Sequence, residues 1–163
     1  MSTENFYNPD HSHIHEQVMS TWLMTKDLND LTVIPGLGDR TRDQIIRHTT
    51  STGQVCDTAY ALLGRYLALK TQNMTPVEHA NAFYEFLTRV CEVHSGNVHQ
   101  IVTAVAEKAN LMMDGLYDIK FWPESTRNVS RKNVASSQPS SQHETNEPTE
   151  HTKAHKSRAR AQA

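Results

Sequence analysis

Cysteine is scarce. Cys56 and Cys91 are the two in 163 residues, and they lack the close spacing of metal ligands. The chain therefore reads as one of a reducing compartment, with no disulfide framework. Long apolar runs are missing too. None approaches the about 20 residues of a membrane-spanning helix, which predicts no membrane insertion. The first residues are polar and acidic, unlike a secretory signal, so the sequon Asn128-Val129-Ser130 is discounted. No useful stretch alternates apolar and polar residues, which excludes a sheet and leaves an all-α chain. Catalytic signatures are also lacking. There is no nucleophile elbow and no tightly spaced ligand set, and the carboxylates are scattered over caps and helix faces. The sequence predicts no enzyme, no cofactor and no metal. His11, His13 and His15 do not alter this, because His11 and His15 alone would share a helix face and no third ligand is evident.

Charge divides unevenly. Residues 1–122 hold nine Lys and Arg against fourteen Asp and Glu, a net of −5, and residues 123–163 have a net of +3. Nucleic-acid binders usually present a basic face, so an acidic core argues against strong electrostatic binding while leaving room for a local patch.

What the chain does have is Val33-Ile34-Pro35-Gly36-Leu37-Gly38-Asp39-Arg40-Thr41-Arg42. Pro35 pushes Ile34 out of helical geometry. Gly36 and Gly38 permit positive φ and leave the turn bare of side chains. Leu37 plugs inward, and Asp39 opens a helix where its carboxylate suits the dipole. This is the pattern of a helix-hairpin-helix, whose amides form an anion site. Two readings stand on the motif alone: a plain tight turn, or a phosphate site supplemented by Arg40, Thr41 and Arg42. A nucleotide-type phosphate loop is excluded, since no Gly-Lys-Ser/Thr follows.

Around this hairpin the spacing predicts helices over about 12–25, 39–48, 58–70, 75–92 and 97–117. Ile14, Val18 and Trp22 mark the inner face of the first. Asp57 is expected to cap the third, which is apolar over more than one stripe and so suits both a core and a partner. Thr75-Pro76-Val77-Glu78 is a capping box with proline at the first helical position. Phe83, Phe86, Leu87 and Val90 should face inward, followed by Val98, Ile101, Val102, Val105, Ala109, Met112 and Met113. Residues 1–11 read as a flexible lead and 12–122 as one helical domain. Residues 123–163 read as a disordered polar tail, ending in the basic cluster Lys153, Lys156, Arg158 and Arg160.

Three stretches resemble the barrier-to-autointegration factor family, small dimeric proteins that bridge double-stranded DNA. They are Ile34-Pro35-Gly36-Leu37-Gly38, the helix Ala59-Tyr60-Ala61-Leu62-Leu63-Gly64-Arg65-Tyr66-Leu67-Ala68-Leu69-Lys70, and Phe83-Tyr84-Glu85-Phe86-Leu87 with the later Cys91. Order and rough spacing agree over about residues 12–117. The resemblance implies a compact five-helix domain and a homodimer with Tyr60, Leu63, Gly64 and Leu67 at its interface. It also implies a groove for a LEM-domain-like protein, and a nuclear and cytoplasmic location. The expected DNA contacts are Gly36, Leu37, Gly38, Arg40, Thr41 and Arg42 in and after the hairpin, with Gly96 and His99, where the family's last-helix basic pair falls. The departures concern charge: the family's lysines after the hairpin fall near Asp43 and Gln44, its basic pair on the last helix near Gly96 and His99, and its first-helix lysine near Gln17.

The expected function is binding and bridging of double-stranded DNA, without sequence preference, by a homodimer that places backbone amides on phosphates. The alternative is a diverged dimeric adaptor that has lost DNA and acts through a LEM-like partner or a mixed dimer with a DNA-binding relative. A third possibility leaves dimerisation to the core and DNA contact to the 153–160 cluster.

Overall fold

The helix Ser95–Met112 (α5) is apolar nearly all round. Val98, Ile101, Val102, Ala104, Val105, Ala106 and Ala109 are all buried. A helix of that kind must be covered on every side, and the rest of the fold does so. The computed structural model describes residues 6–123, which form five α-helices and no strand. α1 (Glu16–Met24), α3 (Ala59–Ala68) and α4 (Pro76–Glu85) pack on α5. α2 (Asp39–Ser51) packs against the short 3-10 turn Leu31–Val33 and against the turn that follows α4. The tail 124–163, with its basic cluster and sequon, lies outside the described residues.

Local chemistry sets the helix starts. At α4 the capping box is complete: the Glu78 amide donates to Thr75 Oγ1 at 3.2 Å, and the Thr75 amide donates to Glu78 Oε2 at 2.8 Å. Thr58, not Asp57, caps α3, accepting from the Ala61 amide at 3.0 Å. α4 widens into a π-turn over Phe86–Val90, which turns Cys91 inward and leaves Val90 exposed, against expectation. Glu92, at φ +55°, then ends the segment.

Both ends of the domain depart from the sequence expectation. Residues 6–11 are not a loose lead. Tyr7 is buried, and its hydroxyl bonds Thr103 Oγ1 at 2.7 Å and the Tyr117 hydroxyl at 2.8 Å. The Tyr7 ring meets Trp122 edge-on. α5 stops at Met112, five residues early, and Met112 and Met113 are more than half exposed. Val18 is also exposed, because Trp22 is the α1 residue that anchors to the core. Its Nε1 donates to the Ala104 carbonyl at 2.7 Å. Lys108 completes that anchor, donating from Nζ to the carbonyls of Trp22, Leu23 and Thr25 at 3.1, 2.7 and 2.7 Å. α1 has no basic residue in its own last turn, so α5 supplies the cation that its C-terminal dipole favours.

Candidate nucleic-acid interface

The stretch expected to form the hairpin begins with Asp30, whose carboxylate accepts from the Thr32 amide at 2.8 Å and starts the 3-10 turn Leu31–Val33 that stands where the motif expects a first helix. The Leu37 amide then donates to the Ile34 carbonyl at 3.0 Å. Pro35 and Gly36 lie between them, Gly36 at φ +84°, the sequence signature of a type II turn. Leu37 is buried, as expected. Gly36 is fixed by space as well as by φ. A Cβ there would lie 2.7 Å from Gln100 Cβ and 3.4 Å from the Asn97 carbonyl. The turn therefore abuts the first turns of α5.

Gly38 differs. It is the N-cap of α2, with extended backbone, and a Cβ added to it would meet nothing within 4 Å. Packing does not require glycine here. Its absent side chain leaves α2 without a cap, so the amides of its first turn remain available. α5, next to the hairpin, likewise starts without a side-chain cap or an acidic residue in its first turn. A groove of about 740 Å³ runs from the hairpin to α1, lined on the α1 side by Gln17, Val18, Thr21, Trp22 and Thr25.

The side chains are less favourable to an anion than the backbone. Arg42 Nη1 lies 2.8 Å from Asp39 Oδ1, and Nε and Nη2 lie 3.0 Å from Asp43 Oδ1. Asp43, then Asp39 and Asp30, raise the Arg42 pKa further. Two carboxylates thus hold one guanidinium, and Asp30 acts on it from farther away. Arg40 is exposed and outside that network. Besides Leu37, two more residues drawn from the sequence as DNA contacts are turned inward. Thr41 is buried on the same side of α2 as Ile45. His99 is buried against Tyr7 and Tyr84, and its Nδ1 accepts from the Asn8 amide at 3.2 Å. Burial, helped by neighbouring His11, holds its pKa down to about 4, so its ring is neutral at pH 7 and adds no charge to the surface. Gly96 is exposed in the first turn of α5.

On α3 the four expected interface positions separate. Tyr60 and Gly64 are exposed and Leu67 is half-buried, whereas Leu63 belongs to the chain's own core. Among the described residues no helix is long and apolar enough to cross a membrane, and no cluster of three potential metal ligands occurs. The Arg42–Asp39 pair is an i,i+3 spacing on α2 and was open to sequence reasoning, whereas the Tyr7 network and the role of Lys108 had no signal in local spacing, because each joins residues from separate elements.

Comparison with family models, with characterised proteins and with solved structures finds no match for the chain.

Proposed function

We propose that this chain binds the phosphate backbone of double-stranded DNA through the Gly36-Leu37-Gly38 hairpin, without reading base sequence, and bridges duplexes as a homodimer. The observation that carries the reading is the uncapped start of α2 behind Gly38, a position where the fold has room for a side chain and has none. Backbone amides at a helix N-terminus bind phosphate without a basic side chain. Arg40 supplies charge beside them, and the amides of α5 around Gly96 lie across the turn. The carboxylates around Arg42 make each site weak. Two sites on a dimer, joined through the exposed face of α3 at Tyr60, Gly64 and Leu67, offset that by avidity. This reading places the protein where DNA is, in the nucleus as well as the cytoplasm.

The test is fluorescence anisotropy of a short labelled duplex titrated with the full chain at several salt concentrations. Binding should weaken with salt, with a log–log slope of about −0.9 for each phosphate neutralised. Gly38→Glu should abolish it while thermal stability stays near that of the parent. Loss on neutralising Lys153, Lys156, Arg158 and Arg160 instead would move the contact to the tail.

A second reading is favoured by the arrangement of Asp30, Asp39 and Asp43 around Arg42. An acid-rich hairpin rim suits a protein partner better than DNA. The chain would then be a dimeric adaptor, pairing with a LEM-like protein or with a DNA-binding relative. Absence of salt-sensitive binding together with a mixed dimer on co-expression would favour it.

A further inference from the structure

One helix face is only partly covered by the monomer. Glu16, Met19, Ser20, Leu23 and Met24 fall at i, i+3, i+4, i+7 and i+8, one stripe of α1. Met19 and Leu23 are half-buried at its inner edge and pack against the core beside Trp22, whereas Glu16, Ser20 and Met24 are exposed. Met24 is 78% exposed, and Leu111 beside it on α5 is 65% exposed. Two clefts, of about 530 and 540 Å³, flank the stripe and share Leu23 and Met24. The first opens beside Glu16 and Leu111, the second beside Lys26, Tyr60 and Met112.

We propose that this face binds a second copy of the chain, with the two α1 helices antiparallel about a two-fold axis. Charge argues for that occupant. Glu16 stands at one end of the stripe and Lys26 at the other. Both are exposed, and neither forms a salt bridge among the described residues. A two-fold axis brings each Glu16 to the partner's Lys26, satisfying both ends at once, and the same register sets Met19 opposite the partner's Leu23. Ser20, between them, is small enough to let the helices approach. An isologous contact requires this kind of self-complementary patch. The chain's own C-terminal segment cannot substitute, since Val129 and Val134 are the only large aliphatic residues in 124–163 and it has no aromatic. Thioethers at Met19 and Met24 give the surface an adaptable apolar lining.

This contact meets the α3 face at Tyr60, on the rim of the second cleft, but leaves Gly64 and Leu67 outside it, and it does not depend on DNA binding. A copy using both surfaces would be linked to two neighbours, giving assemblies larger than a dimer.

The test is sedimentation equilibrium of the full chain without DNA, beside Met24→Glu, Ser20→Glu, Glu16→Lys, Lys26→Glu and the double charge swap. Circular dichroism checks that each variant is folded. Self-association should weaken at least about tenfold in Met24→Glu and Ser20→Glu and in each single charge reversal, which sets like charges together at both ends. The double swap should restore it to near the parent value. A chain that stays monomeric at high concentration would overturn the proposal. So would association that survives Met24→Glu and Ser20→Glu but is lost in Leu67→Glu, or a double swap no better than the single reversals.

Discussion

Arg42 holds its neighbour Asp43 with two nitrogens, Nε and Nη2, each 3.0 Å from the same carboxylate oxygen. One of the two arginines just after the hairpin is therefore spent on its own helix. Asp43→Asn removes one of the two carboxylates that hold Arg42, leaving it with Asp39 alone and freer to swing toward a phosphate. Duplex affinity should rise several-fold at low salt, and the salt slope should steepen by about 0.9. Anisotropy titrations of the two proteins at matched salt check this. An unchanged slope would mean that DNA does not approach the hairpin.

The two hairpin glycines should respond in opposite ways to a methyl group. Gly36→Ala forces an L-residue to φ +84° and drives Cβ against Gln100, so it should cost roughly 2 kcal/mol or more, since left-handed geometry alone costs about 1–2. Gly38→Ala, with extended backbone and open space, should stay within about 0.5 kcal/mol of the parent, the ordinary range of a surface change. Urea denaturation of both variants provides the comparison.

Lys108→Met keeps much of the side-chain bulk and removes three hydrogen bonds to the end of α1. The loss should be about 2 kcal/mol, the range for hydrogen bonds from a charged donor, with a Tm lower by roughly 8 °C. Lys108→Arg, with its planar fork, should recover part of this. Differential scanning calorimetry reads both.

Acid should destabilise the fold through His99. Its pKa is about 4 in the folded chain against an ordinary 6.5, the result of burial and then of His11. Because the folded value is the lower one, the unfolded chain binds the extra proton. Stability is complete above about pH 6.5 and falls as pH drops toward 4, by about 2 kcal/mol at pH 5. Equilibrium denaturation between pH 7.5 and 5 should follow this slope, and His99→Asn should flatten it.

Much of the fold was legible because its signals are local. Thr75 and Glu78 form their box within four residues. Pro35 and Gly36 encode their turn by backbone preference, and the apolar positions from Val98 to Ala109 repeat at helical spacing. The site was harder. Thr41 looked like a surface hydroxyl, yet it lies four residues before Ile45 and shares its inward face. His99 looked like a surface base, but Tyr7, some ninety residues away, covers it. Met112 and Met113 continued the apolar pattern to the very end of α5, where Gly115, at φ +86°, soon turns the chain. Periodicity records which residues are apolar, not where a neighbouring element ceases to cover them.

The anchoring of α1 by Lys108 has a consequence for how the chain acquires its shape. Helix 16–24 is short, and isolated helices of this length are marginal in water. What holds its end in place comes from a residue more than eighty positions later, and Tyr7 waits on Thr103 and Tyr117 in the same way. Contacts this distant in sequence slow folding even in an all-helical protein, because loop closure precedes their reward. During synthesis α1 thus emerges well before the α5 residue that secures its end. Until α5 appears, the Met19–Met24 stripe and Trp22 remain together on an undocked segment, where a chaperone or another nascent chain can reach them.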